Sequence, residues 1–136
     1  MSVITVPQQT STTRSSVWKH GVAAAAAAAA ATTTVAAVAS SAGVSFADRS
    51  GASIPVAAFT QLTLIFSLVG VALAAVLARK ARRPRPTFVR TTVALTVLSL
   101  VPDATFGFDG ASAATLMSLH VLAAAIVIPT LARRLA

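Results

Sequence analysis

A short, strongly basic stretch between two apolar runs constrains this chain more than any other feature. Six of its eleven lysines and arginines lie in the twelve residues from Arg79 to Arg90. The run before them, from Val56 to Ala78, carries no charge, and another apolar run begins at Thr91. Lys and Arg beside apolar segments stay on the cytoplasmic side of a membrane, so the stretch predicts a cytoplasmic loop between two spans. Its basic residues are Arg79, Lys80, Arg82, Arg83, Arg85 and Arg90.

The composition favours a membrane protein over a soluble one. Hydrophobic residues make up 56% of the chain and charged residues only 10%, whereas a typical soluble domain is about 25% charged. The net charge of +8 would otherwise suggest nucleic acid. Here the basic residues flank apolar runs, which the positive-inside rule explains without a nucleic-acid partner. The chain has no cysteine, which excludes disulfides, thiol chemistry and Cys-ligated metals.

Four apolar runs predict an all-α fold, a four-helix transmembrane bundle. The first contains nine consecutive alanines, Ala23 to Ala31, whose small side chains let helices approach closely. The third reaches spanning length only if it includes Arg90 and continues past Pro102. We expect a disordered cytoplasmic tail at residues 1–20 and a membrane domain at residues 21–136, with spans at about 21–44, 56–78, 88–105 and 111–132.

The first apolar run also has features of a cleaved secretory signal. Arg14 and Lys19 precede its apolar core, and the small residues from Ala37 to Ala39 resemble a cleavage site. The core is long for a signal, and the sequence leaves both interpretations open.

The distribution of basic residues predicts the orientation of the chain. Ten of the eleven lie in the tail, the basic loop and the C-terminus, and Arg49 alone lies in a predicted outer loop. The three acids, Asp48, Asp103 and Asp109, fall in the outer half. We therefore expect a multi-pass protein of the cytoplasmic (inner) membrane with both termini in the cytoplasm.

Two ionisable residues, Asp103 and His120, lie within the predicted spans. Asp103 follows Arg90 by thirteen residues and His120 precedes Arg133 by thirteen, which places each about 20 Å from the inner surface at 1.5 Å per residue. Their helices are antiparallel neighbours, so the two side chains can meet as an intramembrane polar pair. Hydroxyl groups at the same level predict a supporting polar layer formed by Thr96, Ser99, Thr63, Ser67 and Thr33.

This polar layer has a structural and a functional interpretation. Polar contacts can simply hold membrane helices together, and Ser and Thr often bond their own backbone. Ionisable residues inside a span also mark proton, ion or ligand sites. The sequence has no nucleophile motif, glycine-rich phosphate loop or metal-ligand cluster, so we expect no catalytic residue, no metal and no cofactor.

Several segments of the second half carry a resemblance to a known family. They are Ala78–Pro84, Leu98–Asp103, Leu119–Pro129 and Leu131–Leu135. Over about Ala42 to Leu135 the chain resembles a family of small four-span membrane proteins from actinobacteria whose function is unknown. The resemblance implies the four-span architecture, and it includes Pro102, Asp103 and His120 in the family pattern. It implies no reaction.

Together these features predict a non-catalytic accessory or scaffold subunit of a membrane assembly, with the alanine-rich first helix as its contact surface. The expected partners are the lipid bilayer and either another membrane protein or further copies of the chain, and not nucleic acid. The alternative is a small proton-linked transporter or ligand carrier that uses Asp103 and His120. A membrane enzyme is a third hypothesis, which the sequence does not favour.

Overall fold

The computed structural model describes residues 10–135, which form four long α-helices. They are α1 (Thr10–Ser41), α2 (Val56–Lys80), α3 (Pro84–Thr105) and α4 (Gly110–Ala132). Within residues 10–135 there is no β-strand, and an isolated bridge joins Ala47 to Ser53 in the loop between α1 and α2. The prediction of an all-α four-helix bundle is therefore confirmed.

Three of these helices are long and apolar enough to cross a membrane: Ser16–Ser41 within α1, all of α2 and all of α4. Helix α3 is less apolar than these three helices, because it contains Arg85, Arg90 and Asp103. Its 22 residues nevertheless extend about 33 Å at 1.5 Å per residue. The third predicted span, at about residues 88–105, therefore has the necessary length but not the necessary apolar composition.

Helix α1 begins well before the predicted first span. Residues 1–9 of the predicted disordered tail lie outside the described residues, whereas residues 10–20 are helical. Neither proline nor glycine occurs between Thr10 and His20. A helix that the alanine run stabilises can therefore propagate backward at one hydrogen bond per residue.

The predicted basic loop is mostly helical as well. Arg79 and Lys80 form the last turn of α2, and only residues 81–83 separate it from Pro84, the first residue of α3. Proline suits this first position because its φ is already helical and no N–H donor is needed there. Pro84 therefore begins α3 directly after the three-residue link that follows α2.

The helices pack around two apolar clusters, with each helix antiparallel to the next one along the chain. Helix α1 contacts α2 and α4, and α3 contacts the same two helices, while α1 and α3 do not contact each other within the described part of the chain. One cluster, at the end that carries the basic residues, contains Val17, Val71, Phe88, Leu131 and Leu135. The other, at the opposite end, contains Ala36, Phe46, Phe59, Leu116 and Leu119.

Helix α1 approaches its neighbours most closely at Gly21. A Cβ atom at this position would lie 2.6 Å from Cγ2 of Val71 on α2 and 3.2 Å from Cδ2 of Leu131 on α4. Both neighbouring side chains are fully buried. The glycine therefore permits a three-helix contact that any larger residue would separate.

Large apolar side chains cover the outside of the bundle. Phe66 on α2, Leu98 on α3 and Val121 on α4 are 70%, 64% and 55% exposed. A soluble monomer rarely exposes extensive apolar surface, and apolar helices of this length are suited to contact with a lipid bilayer.

Candidate functional site

Asp103 lies in the last turn of α3, directly after a proline inside the helix. Pro102 has no N–H to donate to the carbonyl of Leu98, so the helix is weakened one turn before its end. The carbonyl of Pro102 accepts the N–H of Phe106 at 2.9 Å, which closes the helix. The Asp103 side chain is only 9% exposed, so α3 carries a buried carboxyl group toward α4.

His120 lies opposite Asp103, near the middle of α4. Its Nδ1 atom is 2.9 Å from Oδ2 of Asp103 and 3.0 Å from the carbonyl oxygen of Leu116 in the preceding turn. The structure thus brings the two ionisable residues of the predicted spans together, at the distance of an ion pair.

The geometry of the contact leaves each partner incompletely bonded. The Nδ1–H group is directed at the Leu116 carbonyl, and Oδ2 of Asp103 is buried without a hydrogen bond of acceptable angle. No hydrogen bond to Nε2 of His120 occurs within residues 16–135. The imidazole is 41% exposed, so it faces outward from the bundle while the carboxyl group faces inward.

This arrangement favours a specific chemical state of His120. An acceptor at Nδ1 selects the tautomer that carries its hydrogen there, which leaves Nε2 as a hydrogen-bond acceptor. The open nitrogen can then accept a hydrogen bond, or a proton, from a group outside the bundle. Within residues 16–135, no serine or threonine hydroxyl group is hydrogen-bonded to this nitrogen.

The predicted supporting layer divides into two separate parts. On the α1–α2 side, Oγ1 of Thr32 lies 3.0 Å from Oγ1 of Thr63, and Oγ1 of Thr33 lies 2.6 Å from Oγ1 of Thr60. Ser67 is buried on the same side. These hydroxyl pairs join α1 to α2, and they do not reach the Asp103–His120 contact.

The predicted layer residues of α3 bond to their own helix. The hydroxyl of Thr96 donates to the carbonyl of Thr92 at 2.8 Å, and that of Ser99 donates to the carbonyl of Thr96 at 2.6 Å. Such bonds satisfy a hydroxyl group within one helix and leave no donor for a neighbour. Thr96 and Ser99 therefore lie near the pair in sequence without bonding to it.

A polar network that was not predicted from the sequence joins the loop between α1 and α2 to the loop between α3 and α4. Asp109 caps α4, because its Oδ1 accepts the N–H groups of Ala111 and Ser112, both at 3.0 Å. Its Oδ2 accepts the hydroxyl groups of Ser112 at 2.7 Å and Ser45 at 3.2 Å. The Ser112 hydroxyl in turn accepts the N–H of Phe46. An Asp just before a helical run is the sequence signal for this cap.

Hydrogen bonds lower the pKa of both acids in these two loops. The Ser112 hydroxyl, followed by the other donors of the network, lowers the pKa of Asp109 below its usual value of 3.8. The Ser50 hydroxyl similarly lowers the pKa of Asp48. Both carboxyl groups therefore stabilise local structure as anions, and neither is a candidate proton donor near neutral pH.

The described residues offer no deep pocket for a small ligand. The grooves are shallow: one lies between α1 and α4 beside Val38, Ala39, Ala114 and Ser118, and another lies on α4 beside Met117, Val121 and Ala125. His120 lines neither groove. Within the described part of the chain there is also no cluster of three metal-binding side chains.

Comparison with known proteins gives a family without a biochemical activity. A family model, described as a family of unknown function (DUF6069), matches residues 12–136. The chain belongs to the DUF6069 family. No curated protein and no solved structure matches it significantly. Membership in DUF6069 agrees with the expected unknown-function family, and it assigns no reaction to the Asp103–His120 pair.

Proposed function

We propose that this DUF6069 protein is a non-catalytic accessory or scaffold subunit of a membrane assembly. One observation carries the proposal: the His120 side chain is 41% exposed on the flank of α4, and its Nε2 atom has no hydrogen bond to any of residues 16–135. A polar group that faces hydrocarbon without a partner costs several kcal/mol. A neighbouring membrane protein that donates a hydrogen bond to Nε2 would remove this cost.

The absence of a deep pocket among the described residues supports a broad contact over a small ligand. The grooves on α4 are shallow, and the exposed surface around them is apolar. This surface suits the side of another transmembrane helix. The alanine-rich α1 offers less surface than the sequence suggests, because Ala24, Ala25, Ala28 and Ala29 are buried within the bundle.

We further propose four spans in the cytoplasmic membrane, with both termini in the cytoplasm. Helices α2 and α4 run in the same direction, because Leu77 near the end of α2 and Leu131 near the end of α4 pack in one cluster. Helix α3 therefore carries the chain back from the end of α2 to the start of α4. Exposed arginines and lysines at one end of the bundle support the orientation. Because the chain lacks cysteine, single cysteines at Ser50 and Thr87 can test it with a membrane-impermeant thiol reagent in intact cells. Labelling of the first position alone is expected, and labelling of Thr87→Cys would contradict the proposed orientation.

The short Asp103–His120 distance supports a second candidate function, a small proton-linked carrier. A buried carboxyl group 2.9 Å from an imidazole can share a proton, and such pairs occur in proton relays. In this case reconstituted protein would move protons or a co-transported solute, and His120→Ala would abolish the flux.

Co-purification from native membranes in mild detergent, with mass spectrometry of proteins and lipids, tests the leading proposal. We expect a stoichiometric protein partner with the native chain and with the control Val121→Leu, and its loss with His120→Leu. A chain that purifies alone and conducts protons would instead support the carrier.

A further inference from the structure

One end of the bundle, called here the basic end, carries a dense group of cations. It lies where α2, α4 and the described start of α1 meet the link at residues 81–83. All of its basic side chains in the described region are exposed. Within the described residues, no carboxylate lies within 4.0 Å of any of these side chains, and the ion pair found in that part of the chain is Asp103–His120. The members are Lys19, Arg79, Lys80, Arg82, Arg83, Arg85, Arg90, Arg133 and Arg134.

The acids of the chain do not neutralise the basic end. Asp48 and Asp109 lie in the loops at the opposite end of the bundle, and Asp103 lies in the last turn of α3 near those loops. The 22 residues of α3 separate the ends by about 33 Å, which is about three Debye lengths at 0.1 M salt. The positive charge is therefore available to an external anion.

Buried apolar side chains lie at the same end of the bundle as these cations. Phe88 and Leu131 are fully buried beneath them, and the chain turns back after α4 so that Leu135 is buried as well. The link between α2 and α3 is only three residues long. Trp18, which is 53% exposed at the same end, is a residue type that anchors helices at the headgroup layer.

We propose that the basic end binds the headgroups of anionic phospholipids. Seven of its nine cations are arginines, whose planar guanidinium groups bind phosphate oxygens in a bidentate manner. Lipid headgroups are the anions that a bilayer presents at this height. The inference requires that the bundle is embedded in a bilayer, and it does not depend on the accessory role proposed above.

Native mass spectrometry of the purified full-length protein in detergent tests this inference, because orientation in a membrane no longer matters there. Phosphatidylglycerol and phosphatidylcholine with identical acyl chains are the probes. We expect a preference for phosphatidylglycerol that weakens as ionic strength rises. Equal binding of the two lipids by the native chain would overturn the proposal and leave the basic residues with a role in topology alone.

The double variant Arg82→Gln/Arg83→Gln removes two exposed cations from the link. We expect about 25-fold weaker phosphatidylglycerol binding, since each basic residue near an anionic surface contributes a factor of about five. Arg49→Gln removes one cation at the opposite end and should leave the binding unchanged. If Arg49→Gln weakened phosphatidylglycerol binding by the same factor per removed charge as the double variant, net charge and not the basic end would attract the lipid. Arg82→Lys/Arg83→Lys retains the charge and should retain most of the preference, which distinguishes charge loss from misfolding.

Discussion

The Oδ2 atom of Asp103 lies 2.9 Å from Nδ1 of His120, and these residues belong to different helices with opposite exposure. The carboxyl group is buried at the end of α3, whereas the imidazole on α4 is open on one side. The pair therefore connects the interior of the bundle to its outer surface. We expect this contact to stabilise the packing of α3 against α4, while Nε2 of His120 stays available to a neighbour.

A double-mutant cycle measures whether the pair stabilises the fold. We expect Asp103→Asn and His120→Gln each to lower the free energy of unfolding in detergent, with a coupling of about 0.6 kcal/mol and at most about 1.7 kcal/mol, as for polar pairs in other membrane proteins. Additive effects of the two changes would mean that the short distance contributes nothing to stability.

The close approach at Gly21 gives a second prediction. Gly21→Ala places a methyl group 2.6 Å from Cγ2 of Val71, and a buried valine has little freedom to rotate away. We expect a loss of about 1–3 kcal/mol in the free energy of unfolding. Gly70→Ala is the matched control, because a Cβ atom there meets nothing within 4 Å. Partial recovery in Gly21→Ala/Val71→Ala would confirm the clash, and equal stability of the two single variants would refute it.

The hydroxyl pair between Thr32 and Thr63 joins α1 to α2 in the interior. Thr32→Val keeps the shape of the side chain and removes the hydroxyl, so we expect a loss of about 0.6 kcal/mol in unfolding measurements. Thr34→Val is the control, since the Thr34 hydroxyl bonds only to the carbonyl of Ala30 on its own helix. A larger effect at Thr34 than at Thr32 would contradict a role for the interhelical bond.

Asp109 predicts a dependence of stability on pH. Its pKa is lower in the folded chain than the usual 3.8, so the folded state favours the carboxylate. The resulting stability is complete above the usual pKa and is lost as the pH falls through the lowered one. Thermal unfolding of Asp109→Ala should thus differ from the native chain at pH 7 and converge with it in acid. Asp109→Asn can still cap the helix without titrating, so it should show less pH dependence than the native chain, and an unchanged profile would exclude Asp109 as the cause.

The sequence predicted the helices because their signals are long apolar runs. The apolar runs, the flanking arginines and the turn residues each favour the same four-helix arrangement, and all four helices are present. The helix bounds were less accurate. The start of α1 at Thr10 depends on propagation from the alanines, and the start of α3 at Pro84 depends on a proline that can begin a helix as well as end one.

The candidate site was predictable in part. The depths of Asp103 and His120 follow from helical rise, so their common height could be calculated from the positions of Arg90 and Arg133. The direction of a hydroxyl group could not be calculated in this way. Whether Thr63 bonds to α1 or Ser99 bonds to its own helix depends on helix rotation and rotamer, which spacing alone does not determine.

Site-specific photo-crosslinking in native membranes tests the proposed accessory role most directly. A crosslinking residue placed at Met117 or Ala124 lies one turn before or after His120 on the same face of α4, and Phe66 on α2 is an exposed control. We predict one protein adduct of the same mass from both α4 positions and none of that mass from Phe66. Adducts with lipid alone at Met117 and Ala124 would contradict the account.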